Sequence, residues 1–342
     1  MAIPPDAAPP PEDGRAADRG AGGPDPADLH TPVLLDRCIE LLAPALAPAA
    51  GVPAPPRWAV DGTLGMGGHA AALLALGPQV HLIGIDRDPQ ALALAARRLA
   101  PAAGRIRLVH AVFDELAAVV EAAGLRGVRA VLLDLGVSSL QLDVDERGFA
   151  YARDAVLDMR MDPASGPTAA QVVNSYSAKE LARVFRTYGE ERFAARIAAA
   201  IVAARAAAPL ETTGQLAALV RDAIPAPARR TGGNPAKRVF QALRIEVNDE
   251  LGALSRALPQ VLQSLAPGGR AVVLSYHSLE DRLVKRAFAE ASTTSTLPGL
   301  PVEPPPAPFR LLTRGAEGPG DGERERNPRS ASVKLRAIER VA

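Results

Sequence analysis

The residues of this chain best equipped for chemistry lie in one run, Val60-Asp61-Gly62-Thr63-Leu64-Gly65-Met66-Gly67-Gly68-His69. Glycines let a ligand approach the backbone closely, and a helix that opens after them offers free N–H donors. The next apolar run ends Ile83-Gly84-Ile85-Asp86. An acid there can accept hydrogen bonds from both ribose hydroxyls of a nucleoside. Alone, a glycine loop is as readily an ordinary turn. Joined to strand, helix, strand and terminal acid, it points to a nucleoside-containing cofactor. The spacing Gly62-x-x-Gly65-x-Gly67-Gly68 departs from the G-x-G-x-x-G of dinucleotide sites. Asp61 before it would repel a pyrophosphate but suits the amino group or sulfonium of S-adenosyl-L-methionine. An NAD-dependent oxidoreductase is the rival, and nucleotide titration separates the two.

A second run, Leu132-Leu133-Asp134-Leu135-Gly136-Val137-Ser138-Ser139-Leu140-Gln141, follows an almost wholly apolar segment. Ligands of open α/β sheets sit beyond the carboxyl ends of the strands. Asp134, Ser138, Ser139 and Gln141 are therefore placed to meet cofactor or substrate. The competing reading is a polar loop whose Ser and Asp satisfy their own backbone. Phe113 is either core or a platform for an adenine ring.

The elements that must hold these residues alternate. Arg57–Asp61, His81–Asp86, Arg105–His110 and Val128–Asp134 read as strands, with helices at 69–76 and 89–99. This rhythm predicts a parallel, doubly wound α/β sheet. Leu34, Leu35, Ile39 and Leu42 give a short helix before it, and 44–56 reads as a linker. From about 148 to 245 the periods are helical. Capping boxes stand at Ser177–Glu180 and Thr212–Gln215, and one long helix carries Phe240 through Leu254. Leu265–Gly269 ends a helix, Arg270–Tyr276 is a fifth strand, and Phe309–Leu312 and Ser332–Ile338 close the sheet. Residues 315–325 read as flexible. The expected organisation is a tail over 1–28, a discontinuous domain over 29–147 and 246–342, and an inserted helical domain over 148–245.

Composition bounds the function. Cys38 is the single cysteine, which excludes an internal disulfide and a multi-cysteine zinc site. No His, Asp and Glu spacing supports a metal. No apolar run reaches the roughly 20 residues that span a bilayer, and no signal peptide is evident, so a cytoplasmic setting is expected. The net charge of +1 divides into −4 over residues 1–28 and +5 over the rest, which is permissive for RNA binding.

The chain resembles the RsmH/MraW methyltransferases, which make N4-methylcytidine in the 16S RNA of the small ribosomal subunit. The resemblance runs from about His30 to the C-terminus. It is carried by His30–Leu35, Asp61–His69, Asp86–Pro89, Leu133–Ser139 with Gln141, Arg147-Gly-Phe149 and Leu157–Pro163. Tyr188–Phe193, Phe240–Ile245, His277–Arg282 and Asn327–Ser330 complete it. It implies a Rossmann-like methyltransferase sheet interrupted by a helical domain. It also implies cofactor contacts at Gly67, Gly68, His69, Asp86, Phe113, Asp134 and Gln141. The Asp134–Ser139 loop, with Ser138 and Ser139, is then the candidate catalytic element.

A target base must leave its stack to react. Phe149 and Tyr151 either stack on it or pack in the core. Asp158, Arg160 and Asp162 either line its pocket or form a salt-bridged loop. His277 and Glu280–Arg282 take structural or RNA-facing roles. Arg229, Arg230, Lys237, Arg238, Arg244 and Arg329 are candidate phosphate contacts, though each singly is more often a solvated charge. The competing class is an S-adenosylmethionine-binding assembly factor without catalysis, separated by a methyl-transfer assay.

Overall fold

A computed structural model of the chain describes residues 32–48, 55–150, 153–229, 234, 236–294 and 306–341. The tail over 1–28, His30, Tyr151 and Arg230 lie outside them. Helix α1 (Leu35–Leu46) precedes β1 (Arg57–Asp61), α2 (Gly68–Ala75), β2 (Val80–Asp86), α3 (Pro89–Arg98), β3 (Ile106–His110), α4 (Leu116–Ala122) and β4 (Val128–Asp134). Among the described residues, seven helices follow without a strand: α5 (Ser139–Asp143), α6 (Ala169–Ser175), α7 (Ala178–Gly189), α8 (Ala194–Arg205), α9 (Thr213–Ala223), α10 (Ala226–Arg229) and α11 (Ala236–Asn248). Then come α12 (Glu250–Ser264), β5 (Leu265–Ser275), α13 (Ser278–Ala291), β6 (Phe309–Leu311), α14 (Asp321–Arg326) and β7 (Lys334–Arg340).

The sheet order is β3-β2-β1-β4-β5-β7-β6. Strands β1 to β5 are parallel, and β7 runs antiparallel to both neighbours. The chain winds outward from β1 to β3, then returns across β1 to β4. That reversal opens a crevice at the carboxyl ends of β1 and β4, where Asp61 and Asp134 stand.

Alternate residues of each strand feed opposite faces. Ala59, Ala130 and Leu132 pack with Leu42, Leu73 and Leu99 on the α1–α3 face. Val60, Val131 and Leu133 pack with Leu116, Leu258 and Phe288 on the α4, α12 and α13 face. Both faces are covered, which is why β4 reads as a continuous apolar run. The seven-helix segment has a core of its own, from Phe149 and Leu157 through Phe185 and Ile197 to Phe240 and Leu243. Local capping signals hold there: Ser177 and Thr212 each accept from the N–H three residues on, and Glu180 and Gln215 reach back.

Four expectations need correction. Helix α1 runs through Pro44 to Leu46, because Leu46 is wholly buried in the sheet-facing core and rewards one more turn. The long helix expected over Phe240–Leu254 is two, broken at Asp249 with φ 49°. Strand β5 begins at Leu265, inside the run read as a helix end, with a register shift between Val128 and Ala130 absorbing the glycines. The 315–325 segment is ordered. Arg37 donates twice to the Glu317 carboxylate, Glu317 bridges to Leu335, and Glu323 accepts from the Leu34 N–H.

Candidate functional site

A cleft of about 480 Å³ opens over the carboxyl ends of β1, β2, β4 and β5, walled on its far side by α11 and α12. Its near wall is the glycine turn. Gly65 and Gly67 take φ 51° and 76°, conformations that cost a side-chain-bearing residue energy. The turn carries the chain from Asp61 to the start of α2. The Gly65 N–H donates to Asp86 Oδ2 at 2.7 Å, and the Asp88 N–H to Asp86 Oδ1 at 2.8 Å. A carboxylate has about four lone-pair sites, so Asp86 anchors the turn and can still accept from a ligand.

Three acids close on this end. Burial raises Asp61 to about 8, Asp134 to about 7 and Asp86 to about 6, from an ordinary 3.8. Asp134 is held on three sides. Its N–H donates to Thr63 Oγ1 at 2.6 Å, and Oδ1 accepts from the Tyr276 hydroxyl at 2.7 Å. Its Oδ2 lies 3.8 Å from His69 Nδ1. That last contact is no ion pair, because burial lowers His69 to about 4 and leaves the ring neutral near pH 7. His69 Nε2 lies 3.0 Å from the Val33 carbonyl and must carry the proton to donate to it. Nδ1 is then an acceptor beside the Asp134 carboxyl, an arrangement suited to a donor or cation that meets both.

Gly68 and His69 line the cleft, as do Phe113, Asp134, Ser138 and Gln141. Gly67 faces away. Its N–H donates to Leu64 O at 2.8 Å, and a Cβ there would meet Leu99 at 3.2 Å. Ser138 caps α5: its Oγ accepts from the Gln141 N–H, and Gln141 Oε1 accepts from the Ser138 N–H. Gln141 Nε2 donates to Asp88 Oδ2 at 3.2 Å. The backbone reading of this loop thus holds for Ser138, with the serine proton left to donate, whereas the Asp134 carboxyl meets the Tyr276 hydroxyl instead of its own backbone. Ser139 opens α5; its side chain lies outside the description.

The far half of the cleft is lined by Phe149, Met159, Met161, Phe240, Gln241 and Tyr276. Phe149 packs in the helical core, as one of its two readings had it, and also lines the cleft. The charged residues of the Leu157–Pro163 stretch do not line the cleft. Asp158 and Arg160 form a bidentate pair, and Asp162 lies 3.5 Å from His110. Met159 has φ 63° and is pinned by Asn248, whose amide spans the Met159 O and Met161 N–H. That turn aims the methionines inward.

Of the basic residues, Lys237 and Arg238 are exposed on the first turn of α11, and Arg329 is exposed at the cleft edge. Arg244 is corrected: it is largely buried in a bidentate pair with Glu250 at 2.8 and 2.9 Å, not presented to solvent. The Arg229 side chain lies outside the description. Sequence reasoning missed Arg98 and the Tyr276 hydroxyl bond. Arg98 ends α3, lines the cleft, and has Nη1 buried without a hydrogen-bond partner. Its place beside the glycine turn is set by tertiary packing and leaves no local signal. Tyr276 had one, since it follows the fifth strand as Asp134 ends the fourth. Among the described residues no cluster of three or more metal-binding side chains occurs, and no helix is long and apolar enough to cross a membrane.

The profile of the MraW methylase family matches residues 27–341. Similar sequences include three proteins named Ribosomal RNA small subunit methyltransferase H. That of Saccharopolyspora erythraea is 59% identical over 329 residues, covering 96% of this chain and 97% of that protein. That of Frankia alni is 61% identical over 317 residues, covering 92% and 96%. That of Thermobifida fusca is 60% identical over 318 residues, covering 92% and 94%.

Proposed function

This chain belongs to the MraW methylase family, and from that premise we propose that it transfers the methyl group of S-adenosyl-L-methionine to the exocyclic N4 of a cytidine in 16S ribosomal RNA. The donor set of the cleft fits that cofactor. The acceptor pair Asp134 Oδ2 and His69 Nδ1, 3.8 Å apart and backed by Asp61, suits the cationic amino-acid end. Arg98 Nη1, buried and unpartnered, suits its carboxylate. Asp86 suits a ribose, and Phe113 an adenine face. The single observation that carries the reading is the buried cluster of Asp134, Asp61 and His69 Nδ1, whose acids hold protons while the site is empty and ionise against a bound cation.

When bound, S-adenosylmethionine supplies an electrophilic methyl group on a sulfonium. The chain's own work is positioning. The target nitrogen shares its lone pair with the ring and must be aligned with the methyl group. It becomes tetrahedral during transfer, so acceptors placed on its N–H groups stabilise the change. The Asp134–Ser139 loop supplies them: the Asp134 carboxylate and the carbonyls that follow. No strong base is needed, since the proton leaves after transfer. Phe149, Met159, Met161 and Phe240 make an apolar slot for an unstacked base. The 148–245 helices are then the substrate-binding unit, with Lys237, Arg238 and Arg329 meeting phosphate at the rim. A ribosomal substrate goes with a cytoplasmic setting.

The test is transfer of labelled methyl from S-adenosylmethionine to small subunits lacking the modification, with the product nucleoside identified by mass spectrometry. N4-methylcytidine in the 16S RNA is the expected product. No transfer, despite tight donor binding, leaves a binding factor instead of an enzyme.

A further inference from the structure

Strand β5 ends at Ser275, and the chain turns through Tyr276 and His277 into α13. Both side chains line the cleft. His277 is the N-cap of α13. Its Nδ1 accepts from the Glu280 N–H at 3.4 Å, and Glu280 Oε2 accepts in return from the N–H groups of Tyr276 at 2.7 Å and His277 at 3.2 Å. The reciprocal cap fixes the ring. It also fixes the tautomer: an accepting Nδ1 carries no proton, so in the neutral ring the proton sits on Nε2.

That Nε2 is buried, on a side chain 10% exposed, and has no hydrogen-bond partner. Glu280 Oε1 lies 3.3 Å away, off the direction of the N–H. An unpaired buried donor is destabilising, so its retention on a cleft wall points to a ligand atom that completes it. The neighbouring Tyr276 hydroxyl holds Asp134 at 2.7 Å. The turn after β5 thus carries a donor, His277, and the hydroxyl that anchors an acceptor, Asp134, and all three residues line the cleft.

We propose that His277 Nε2–H reads N3 of the target cytosine, while the Asp134 loop accepts from the N4 amino group, so that His277 is a specificity-determining residue. The proposal rests on the cytosine reading above. On the pairing edge of cytosine a donor, N4–H, stands next to an acceptor, N3. Uracil carries the reverse, O4 beside N3–H. The acceptor–donor pair of the cleft matches cytosine at both atoms, and with uracil it sets like against like at both. Rejection of this kind, which leaves buried polar groups unpaired, discriminates far better than shape.

The experiment titrates cytidine, uridine and 3-deazacytidine, which lacks the N3 acceptor, into the full-length protein saturated with S-adenosylhomocysteine. The wild type is expected to bind cytidine on the order of tenfold tighter than either other nucleoside. His277→Asn keeps a side chain that caps helices well but cannot place the donor. It is expected to fold, to bind S-adenosylhomocysteine as before, and to bind cytidine and 3-deazacytidine equally. Its methylation of unmodified subunits should fall about tenfold in kcat/KM. An unchanged cytidine to 3-deazacytidine ratio in His277→Asn overturns the proposal, as does failure of the wild type to bind or distinguish the nucleosides. Product analysis separates the two readings. If the wild type forms N4-methylcytidine while the ratio is indifferent to His277, only this inference falls. If no N4-methylcytidine forms, the cytosine reading itself falls.

Discussion

The Tyr276 hydroxyl donates to Asp134 Oδ1 at 2.7 Å, tying the loop after β5 to the end of β4 across 142 residues of sequence. The bond opposes the effect of burial, which raises Asp134 to about 7. Without it the carboxyl should titrate higher, and near pH 7 more of it would be neutral and blind to a cation.

Tyr276→Phe is accordingly expected to weaken S-adenosylmethionine binding roughly tenfold at pH 7, the scale of a hydrogen bond to a charged group. Much of the loss should return at pH 8.5, where the carboxyl ionises again. Calorimetry at the two pH values checks this; an equal loss at both would mean the hydroxyl does not act through ionisation.

Ligand-free stability should fall as pH rises. Asp61 at about 8 and Asp134 at about 7 hold protons in the folded state that the unfolded chain releases near 3.8. Their stabilising contribution is present below that value and is lost as pH climbs through the folded ones. His69, lowered to about 4 from 6.5, acts oppositely, but only below about 6.5. Melting between pH 6.5 and 8.5 isolates the acids: a drop of several degrees is expected, and Asp61→Asn should flatten it. The same slope in that variant would remove Asp61 as the cause.

Asp86→Ala removes both the ribose acceptor and the anchor of the Gly65 N–H. Affinity for S-adenosylmethionine and S-adenosylhomocysteine should fall together by on the order of a hundredfold, two hydrogen bonds to a charged group being lost. Unchanged affinity in a calorimetric titration removes the ribose assignment.

Arg98→Gln separates the two ends of the cofactor. S-adenosylhomocysteine binding should weaken roughly tenfold, whereas 5′-methylthioadenosine, which has no carboxylate, should bind as before. Parallel losses would show that Arg98 supports the turn and not the ligand.

Arg147 ties Asp88, at the start of α3, to the turn that carries Met159 and Met161. Arg147 donates to the wholly buried Asp88 at 2.8 Å and to the Met161 carbonyl at 2.7 Å. Arg147→Met strands a buried carboxylate and should cost about 3–5 kcal/mol in urea unfolding. Adding Asp88→Asn should recover part of that. A double variant no better than the single one would mean that the carbonyl bonds, not the charge, carry the stability.

The strand-end acids were legible because period and position announce them. β4 reads as a strand buried on both faces, so its last residue must reach the crevice; the same holds for Asp61 and Asp86. The capping boxes at Ser177 and Thr212 were legible because every bond in them spans three residues. The break at Asp249 was not, since one amphipathic period runs unbroken from Phe240 to Leu254. Nor was the order of 315–325, which depends on Arg37 and Leu34 some 280 residues earlier.

By itself the sequence determined the alternation of strands and helices, the glycine turn and the acids at the strand ends, because these follow from backbone sterics and from which face of each element is apolar. Only the tertiary structure decided which polar atoms meet. It turned Arg244 inward onto Glu250, gave Gln141 to Asp88, set His69 against Asp134, and left Arg98 and His277 each with one buried donor unpaired. Hydrogen bonds are made or lost over a few tenths of an ångström and a few tens of degrees. Distances that fine are fixed by how whole helices pack on the sheet, and no local pattern of residues carries them.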